Sequence, residues 1–466
     1  MADILKSNKV IKASVSLFLK TPLLLKSGYD DIFSDSTIEK TYDGENIHIN
    51  GYVWASLLRR CLDRIDEDFY KKIGKYEPRK DRQEGVSPLW CESSFVPIKD
   101  ELYIRPGNAI DRKYGAGKAG ALFNDEIVAA GLHLKLNFNY FLSQNEKEDI
   151  VEKLFLGGLW VLNAGIENIG GGWSYGMGRL GVRDVRIKRL DLGNDRERKY
   201  LWRFDEEALS GAKKLSLENV EKPDIKKPWV TIHVEASILD GQMLSINSSY
   251  PAFNTSKSYA EYPDSFVYQG YRIDEKGELK AEYIIPGRTI RQALLSVPLE
   301  RKLRTIGRDV ICDSLGSFCN CDKCREHRKK NKSGDSPQCE CLKCHWFGSG
   351  GKGGIVAVTD AYVKDGETKV IHRIQLCEHS MQNVNLFSSE YLTKGRFAFD
   401  VIIDKNEREE FGTRLEDELK WLFGQMKIDA KAPPGWYRIG ATSTATGQIM
   451  ILKEPEIRDC GVIDGE

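Results

Sequence analysis

Residues 284–295 read IIPGRTIRQALL. Two isoleucines end an apolar run, Pro286-Gly287 breaks it, and helix-forming residues follow with arginines in their first turns. Residues 47–60, IHINGYVWASLLRR, repeat this order: an apolar run, a glycine and a helix that carries arginines. The change from strand-like to helix-like periodicity predicts a strand that leads into a helix at both places. We therefore expect the same structural unit to occur twice in the chain.

The duplication extends to both ends of this unit. Each copy begins with an alternating strand, ASVSLFL at residues 13–19 and WVTIHVEA at residues 229–236. Each ends with a glycine-bearing loop between apolar strands, GGGWSYGMGRLG at residues 170–181 and IGATSTATGQI at residues 439–449. This order predicts an α+β fold, with a helical layer on an antiparallel sheet, repeated in tandem.

The totals for the chain agree with two folded domains. At 466 residues the chain is too long to fold around one ordinary hydrophobic core. Its contents of 41% hydrophobic and 10% aromatic residues argue against disorder. We place the domains at residues 1–225 and 226–466. The charged, irregular segment 191–228 between their cores has the composition of a linker or surface connector.

The distribution of charge and the search for targeting signals indicate which partners and which cellular compartment to expect. The net charge is zero, but residues 288–332 hold twelve Lys or Arg against five Asp or Glu, a local basic patch that suits a nucleic acid. The N-terminal sequence has no signal-peptide pattern, and no stretch is long and apolar enough to span a membrane. We expect a cytoplasmic protein with reduced thiols and no membrane partner.

Six of the eleven cysteines lie within residues 319–344, in the two phrases CNCDKC and CECLKC. Paired CxxC turns at this spacing are typical of a structural zinc site, because four thiolates complete a tetrahedral ion and leave no position for water. We therefore expect a zinc-binding insertion at about residues 312–350. Free surface thiols are the alternative, and Cys319, Cys339 and His345 are reserve ligands. The expected zinc ligands are Cys321, Cys324, Cys341 and Cys344.

Two motifs suggest contacts with phosphate groups. Glycines in the loop at residues 170–181 would let a nucleic-acid backbone approach main-chain N–H groups, and a plain turn explains them equally well. The helix start at Pro286-Gly287 has the features of an anion site, because its amides and two arginines face one side. A solvated basic helix face is an equal alternative. The candidate RNA-binding residues are Gly170, Gly171, Gly172, Gly176, Gly178, Arg179, Arg288 and Arg291.

Loop aspartates offer metal-dependent chemistry. Asp35, in DSTI, and Asp264, in DSFV, each precede the apolar run and the arginine-bearing helix of their half. An aspartate near RNA would hold a divalent cation, Mg²⁺ or Mn²⁺, or position an attacking 2′-hydroxyl. For any single residue a solvated loop carboxylate is the common alternative. The matching position in both halves is what selects these two.

Several stretches match the motifs of one known family. Residues 285–294, IPGRTIRQAL, are similar to its Ile-Pro-Gly-Ser-Ser-Ile-Arg-Gly-Ala-Leu. Residues 341–349 and 358–361 are similar to its Cys-x-x-Cys-x-Leu-Phe-Gly-Ser and Val-Ser-Asp-Ala, and residues 110–131 and 170–181 follow its Ile-Asp-Arg and glycine-loop motifs. The chain thereby resembles the RAMP superfamily, specifically the backbone subunits of type III CRISPR effector complexes. Since the likeness spans both halves, it resembles a fusion of two such subunits, as in type III-D-like systems.

The resemblance implies tandem ferredoxin-like, or RRM-like, domains that bind CRISPR RNA and place β-hairpin thumb insertions in the guide–target duplex. In the first half the thumb would lie in residues 103–124, which adds Arg112 to the RNA-binding candidates; the second glycine loop adds Gly440. It also implies metal-dependent cleavage of target RNA by a loop aspartate. Asp264 matches the family phrase directly, and Asp35 does so with a two-residue insertion. Target RNA and other subunits of the complex would be further partners.

Three other functions stay open at this stage. A structural backbone subunit without catalysis would use the same fold, and the first half lacks both the Pro-Gly-Ser-Ser element and the cysteine pairs. A guide-processing endoribonuclease of the same superfamily would need a His, Tyr and Lys acid–base set, which the few histidines do not obviously provide. A generic zinc-ribbon binding module is the most distant alternative.

Overall fold

The structure of the protein is a computed structural model. The predicted α+β class is confirmed, because helices cover antiparallel sheets. Among the described helices, none is long and apolar enough to cross a membrane. The structure describes residues 8–73, 87–99, 101–111, 116–248, 263–274, 276–306, 341–348, 353–377, 381–406, 409–427, 439 and 447–461.

The first half builds a sheet with the strand order β3-β7-β1-β8-β9, in which every neighbouring pair is antiparallel. The alternation of β1 places Ile11, Ala13 and Val15 in the core and Lys12 and Ser14 on the opposite face. The strands of this half are β1 (Lys9–Leu19), β2 (Asn46–Ile49), β3 (Leu89–Cys91), β4 (Ser94–Pro97), β5 (Leu102–Asp111), β6 (Ala116–Val128), β7 (His133–Phe141), β8 (Leu180–Asp191) and β9 (Lys213–Leu215).

The second half builds a larger sheet around β17 and β10. Its order is β13-β14-β16-β17-β10-β18, with β15 also paired to β17 and β19 to β10. The strands are β10 (Trp229–Ile238), β11 (Asn247–Ser248), β12 (Phe266–Val267), β13 (Gln269–Ile273), β14 (Leu279–Ile285), β15 (Val356–Val358), β16 (Ala361–Leu376), β17 (Asn383–Asp404), β18 (Ile449–Ile451) and β19 (Glu456–Asp459).

Helices cover one face of each sheet. Trp54, Leu58 and Phe155 pack from α1 and α3 onto the first sheet, while Leu294 and Leu419 pack onto the second. Pro298 has no N–H for the preceding turn, and the turns before it widen into a π-helix at Ile290–Ser296. The helices are α1 (Gly51–Asp63), α2 (Glu67–Ile73), α3 (Glu148–Ala164), α4 (Asp195–Arg198), α5 (Gly287–Thr289), α6 (Val297–Ile306), α7 (Leu342–Phe347) and α8 (Glu409–Gly424), with 3₁₀ turns at Trp173–Tyr175 and Leu217–Asn219.

One strand order recurs in both halves, β3-β7-β1-β8 in the first and β15-β17-β10-β18 in the second. In each half the opening strand, β1 or β10, is central. The strand that returns from a long hairpin, β7 or β17, lies on one side of it, and the closing strand, β8 or β18, lies on the other. The first hairpin consists of β5 and β6. The second hairpin consists of residues 367–376 of β16 and residues 383–392 of β17.

The charged segment predicted as a linker or surface connector packs across the open face of the first sheet. Leu201, Ala208 and Leu209 are buried there, although the surrounding sequence is polar. The carbonyl oxygen of Leu201 accepts hydrogen bonds from Lys12 Nζ at 3.0 Å and Asn139 Nδ2 at 2.8 Å. Lys12 Nζ also lies 3.3 Å from the centre of the Phe204 ring. A buried amine therefore anchors the connector.

Burial lowers the pKa of Lys12 to about 8, an effect that Lys188 increases and that Glu92 and Asp205 oppose. The unfolded chain holds this proton up to the ordinary value of 10.5, so raising the pH from about 8 to 10.5 should stabilise the folded protein. Lys12→Met should remove this increase, while Asn139 still satisfies the Leu201 carbonyl. Thermal unfolding across this pH range measures it, with the exposed Lys135→Met as control. Parallel pH profiles for wild type and Lys12→Met would contradict the assignment.

Candidate nucleic-acid interface

Asp35 lies at the base of the first hairpin and is exposed. Its N–H donates to the carbonyl oxygen of Asn124 at 2.8 Å, and its Oδ2 accepts the N–H of Asn124 at 2.7 Å. Three residues later, the N–H of Ile38 donates to Oε2 of Glu126 at 2.9 Å. A loop carboxylate thus binds the hairpin, and a hairpin carboxylate binds the loop. We call this reciprocal arrangement an aspartate clip.

Asp264 forms the same clip at the base of the second hairpin and is also exposed. Its N–H donates to the carbonyl oxygen of Ser388 at 3.0 Å, and its Oδ2 accepts the N–H of Ser388 at 2.6 Å. The N–H of Val267 donates to Oε2 of Glu390 at 3.0 Å. The spacing along the loop and along the hairpin is identical to that of the first clip.

A further pair of contacts fixes the equivalence of the two clips. Leu23 and Val128 exchange main-chain hydrogen bonds of 3.0 and 2.9 Å, and Leu244 and Leu392 exchange bonds of 2.8 and 3.1 Å. Val128 follows Asn124 by the same number of residues as Leu392 follows Ser388. The structure therefore places Asp35 and Asp264 at corresponding positions, each beside its own hairpin.

The sequence analysis missed an exposed apolar loop beside Asp35. Tyr29, Ile32 and Phe33 have exposures of 76%, 95% and 69%. The carboxylate of Asp31 accepts the N–H groups of Phe33 and Ser34, which lowers the pKa of Asp31 and orders the loop. Exposed aromatic rings offer stacking surfaces for bases. The detectable signal was the apolar and aromatic content of GYDDIFSDS, a loop otherwise rich in Asp and Ser.

A buried ion pair joins the first hairpin to the second half. Arg105 Nη1 and Nη2 each donate to a carboxylate oxygen of Asp360 at 2.7 Å, and both side chains are at most 2% exposed. The N–H of Gly287, the first residue of α5, also donates to Asp360 Oδ1 at 2.7 Å. Burial is the largest single effect on Arg105 and opposes its charge, but Asp360, Tyr268 and Tyr103 together outweigh it, and the pKa of the guanidinium is raised well above its ordinary value.

Aromatic residues enclose this ion pair. The hydroxyl group of Tyr268 donates to the carbonyl oxygen of Pro106 at 2.9 Å, and Tyr103 packs against Tyr271 with ring centres 4.8 Å apart. Burial raises the pKa values of Tyr103 and Tyr268. The ion pair is therefore the centre of a dry contact between the two halves, formed by the Val-Thr-Asp-Ala and Pro-Gly-Arg motifs of the second half.

Two of the four arginines predicted to bind RNA, Arg288 and Arg291, lie next to this junction. The guanidinium of Arg288 is 5.1 Å from the ring centres of Phe123 and of Tyr175, and its side chain is 16% exposed. Burial and the nearby charge of Arg105 lower the pKa of Arg288. Arg291 donates to the carbonyl oxygens of Val356 and Phe347 at 3.2 and 2.7 Å, which holds β15 and α7 against the helix.

The glycine loop also has a packing role. A Cβ on Gly170 would meet the Leu24 carbonyl oxygen at 2.3 Å, and one on Gly176 would meet Thr359 Cα of the second half at 2.6 Å; both residues have positive φ. A Cβ on Gly178 would likewise clash with a carbonyl oxygen. One on Gly172 would crowd the sulfur of Met177, and one on Gly171 would have ordinary contact distances. These glycines therefore let the loop pack closely, whether or not RNA also approaches it.

Arg179 is fully buried beneath this loop. Its guanidinium donates to the carbonyl oxygens of Gly165, Ile166 and Trp173, and burial lowers its pKa to about 9. The side chain thus orders the loop from below and reaches no surface in this structure. Contacts with phosphate stay predictions for the loop glycines, Arg288 and Arg291. The contacts that Arg179 makes in this structure are structural.

Several predicted site residues lie outside the described residues: Arg112, Gly440, Cys321 and Cys324. Two of the predicted zinc ligands are described. Cys341 and Cys344 are 3% and 0% exposed at the start of α7, in the core of the second half. Within the described ranges, no group of three or more His, Cys, Asp and Glu side chains is arranged to hold a metal ion. The four-cysteine site therefore stays a prediction.

Comparison with known proteins agrees with the resemblance seen in the sequence. Residues 19–181 match the family model of the RAMP superfamily. The match begins at the end of β1 and reaches the start of β8, so it includes the Asp35 clip, the first hairpin and the glycine loop. It supports a CRISPR-associated protein with an RNA-binding role. A search of curated proteins finds none that matches this chain.

The buried ion pair makes a clear prediction about stability. Arg105→Met should lower the free energy of unfolding by about 3–5 kcal/mol, because it leaves Asp360 buried without its cation. The double variant Arg105→Met, Asp360→Leu should recover part of this loss, since apolar groups then replace both charges. The measurement is urea unfolding. The control Arg186→Met removes an exposed pair with Glu206 and should cost at most about 1 kcal/mol. Equal losses at the two sites would show that the junction is not dry.

Proposed function

We propose that the protein is a CRISPR RNA-binding backbone subunit of a type III effector complex, made of two tandem ferredoxin-like modules. The recurrence of one strand order supports the tandem arrangement, because in both halves the central strand has the same neighbours. The aspartate clips support it further, since identical spacing at two hairpins is hard to obtain without duplication. The superfamily match over residues 19–181 supports the RNA-binding role.

The observation that carries the proposal of catalysis is the exposed aspartate beside each hairpin. A hairpin that enters a guide–target duplex would bring the target strand to its base, where Asp35 and Asp264 lie. The carboxylate oxygen that is not bound to the hairpin would face the RNA and hold Mg²⁺ or Mn²⁺ together with phosphate oxygens and water. Such a cation would stabilise the charge that develops on the phosphate during cleavage.

The bond changes in this reaction are simple. The 2′-oxygen of the target attacks the neighbouring phosphorus, its proton passes to solvent or to the carboxylate, and the 5′-oxygen leaves with a proton. The products are a 2′,3′-cyclic phosphate and a 5′-hydroxyl. Tyr29 and Phe33 would stack on bases near the Asp35 site and hold the strand in place.

A scaffold without cleavage is the second candidate. It is favoured by the hydrogen bonds of the clips, because a carboxylate that accepts a main-chain N–H already has a structural role. Substitution with Asn separates the two functions: the amide oxygen still accepts the N–H, but the negative charge is lost. Substitution with Ala removes both.

We expect Asp264→Asn to lower cleavage of a guide-complementary RNA by about 10²-fold or more, since a metal-binding charge is lost, while RNA affinity and stability stay near wild type. Asp35→Asn should remove a separate cut, at a different position along the target. Cleavage is measured on the assembled complex with Mg²⁺, and the product ends are mapped. The control is Asp274→Asn, a partly buried loop residue outside both clips that pairs with Lys280.

The result has two clear readings. Full cleavage by both Asn variants, together with loss of stability only in the Ala variants, would establish the scaffold and end the catalytic assignment. Cleavage of precursor guide RNA by the chain alone would identify a processing enzyme instead.

We also propose the structural zinc ion, held by Cys321, Cys324, Cys341 and Cys344. Two observations in the described part support it. Cys341 and Cys344 present two thiols on one short turn, and they lie in the core between the helices of the second half. When bound, zinc would hold the insertion against this core.

Native mass spectrometry should therefore find about one zinc ion per chain. Cys344→Ser should abolish zinc binding and lower the thermal stability of the second half, while Cys377→Ser, outside the proposed site, should retain the metal. A chain that folds with full stability after complete removal of zinc would refute the site.

A further inference from the structure

We propose that the open face of the first sheet is a second surface for single-stranded RNA, and that residues 200–209 of the connector close it as a mimic of RNA. We call this segment the strap. The surface goes beyond the proposed function, because it uses neither the hairpins nor the clip aspartates. Two observations carry it: the chemistry of the sheet face, and the complementary chemistry of the segment that covers it.

The open face of the first sheet carries two rows of mostly polar side chains that run across its strands. Strand pairing aligns the first row from β3 to β8, as Trp90, Asn139, Lys12 and Lys188. It aligns the second row from β7 to β9, as Asn137, Ser14, Arg186 and Lys214. Four of these eight side chains are cations and none is a carboxylate. Such a face suits single-stranded RNA, because cations attract phosphates and rings and amides bind bases.

The strap has the complementary chemistry. Its sequence, YLWRFDEEAL, combines aromatic rings with three carboxylates. Leu201 and Phe204 are 8% and 9% exposed, so these two side chains hold the strap to the face. The chain continues from the two ends of the connector into β8 and β9, which belong to the same sheet. The strap can therefore leave the face without separating the strands.

The rings of the strap lie where bases would stack. The Trp202 ring meets the Trp90 ring edge-on with centres 4.8 Å apart, and the Phe204 ring is nearly parallel to that of Trp90 at 6.3 Å. Lys12 Nζ lies 3.3 Å from the centre of the Phe204 ring. Nucleic-acid bases offer a flat π-face of the same kind to a tryptophan ring.

Oxygen atoms of the strap lie where RNA would place its own. Both carboxylate oxygens of Glu206 accept hydrogen bonds from Arg186 Nη1, at 2.7 and 2.8 Å. These bonds and the charge of Arg186 lower the pKa of Glu206, and the charge of Lys214 adds to the effect. Lys188 Nζ donates to the carbonyl oxygen of Ala208 at 2.9 Å. A carboxylate thus stands in for a phosphate on the basic face.

The strap leaves part of the face unsatisfied. Asn139 Nδ2 donates to the Leu201 carbonyl oxygen, but Oδ1 of Asn139 and Oδ1 of Asn137 are buried and have no hydrogen-bond partner in the described part of the chain. A buried acceptor without a donor is costly. Bases carry N–H groups on the edges that proteins read in single strands, so RNA can supply the donors that the strap lacks.

The acidic part of the strap is held at the protein surface. The Glu206 side chain is 81% exposed and Trp202 is 55% exposed, so water and salt weaken their contacts. A cleft of about 600 Å³ adjoins this part of the face, and its lining includes the exposed Lys135 and the second-row residue Asn137. An RNA strand that enters the cleft therefore reaches the covered rows from their open side.

The strap and RNA compete for the same face. The apparent affinity of the face for RNA equals its intrinsic affinity reduced by the fraction of molecules in which the strap is open. Substitutions that weaken the strap should therefore strengthen RNA binding, which is the reverse of the usual effect of a substitution near a binding site. While the strap is in place, RNA has to bind elsewhere on the chain.

The first test measures binding of a fluorescein-labelled uridine octamer to the purified full chain by fluorescence anisotropy. The double variant Phe204→Ser, Glu206→Gln should bind it at least about tenfold more tightly than wild type, because the ring and the charge that hold the strap are removed. Adding Trp90→Ala should remove this gain. The control Glu218→Gln makes the same charge change in the connector but outside the strap, and should leave the affinity unchanged.

Hydrogen exchange on the wild-type chain tests displacement without any substitution. The N–H groups of Arg203 and Leu209 donate to carbonyl oxygens of the strap itself, at 3.2 and 3.0 Å. A saturating concentration of the octamer should make the strap amides exchange several-fold faster, because the strap leaves the face. Both readouts lie on the strap and on Trp90, so they are separate from target cleavage and from RNA bound at the hairpins.

Four results would overturn the proposal. Two are equal affinity of wild type and the double variant, and strap amides that exchange at the same rate or more slowly with RNA. The third is a gain in affinity that survives Trp90→Ala, because another surface would then bind the RNA. The last uses octaglutamate: if it binds the double variant as tightly as the octamer does, the face takes an acidic peptide and RNA is the wrong occupant.

Discussion

The contact between the two halves of this protein depends on the buried Arg105–Asp360 ion pair. A guanidinium and a carboxylate without solvent contact are tolerable only together, since either alone would be a buried charge. Asp360 also accepts the N–H of Gly287, so the same carboxylate holds the start of the helical segment and the hairpin of the preceding module. The pair thereby connects three elements that lie far apart in the sequence, and the glycine loop and Arg288 pack around it.

The tandem arrangement that we propose would account for the distribution of roles through duplication followed by divergence. The aspartate clip is retained at both hairpins with the same spacing, which is why both aspartates enter the proposed function. Other positions differ: strand pairing aligns Arg105 with Ile371, and the N–H groups of Gly287 and Gly51 donate to Asp360 and Ser93.

Several motifs that the sequence predicts to bind RNA make structural contacts in this arrangement. The Pro-Gly-Arg start lies under the first hairpin, Arg291 holds β15 and α7, and Arg179 is enclosed by carbonyl oxygens of the glycine loop. At both helix starts the strand enters the helix with a close main-chain contact that a Cβ on Gly51 or Gly287 would prevent. The loop at Tyr29–Phe33 and the clip residue Asp35 are exposed parts of the first half, and the proposed function places RNA there.

The sequence alone determined the α+β class, the order of strand, helix and glycine loop in each half, and the matching positions of Asp35 and Asp264, because periodicity and local turn residues are encoded in adjacent positions. Only the tertiary structure decided that these aspartates bind the hairpins, that Arg179 is buried, that the connector covers a sheet face through Lys12, and that Arg105 pairs with Asp360. Each of these contacts joins residues that are distant in the chain, and a charged side chain carries no local signal of whether it will be solvated or paired. Long-range packing sets that environment, and the environment sets the role of the residue.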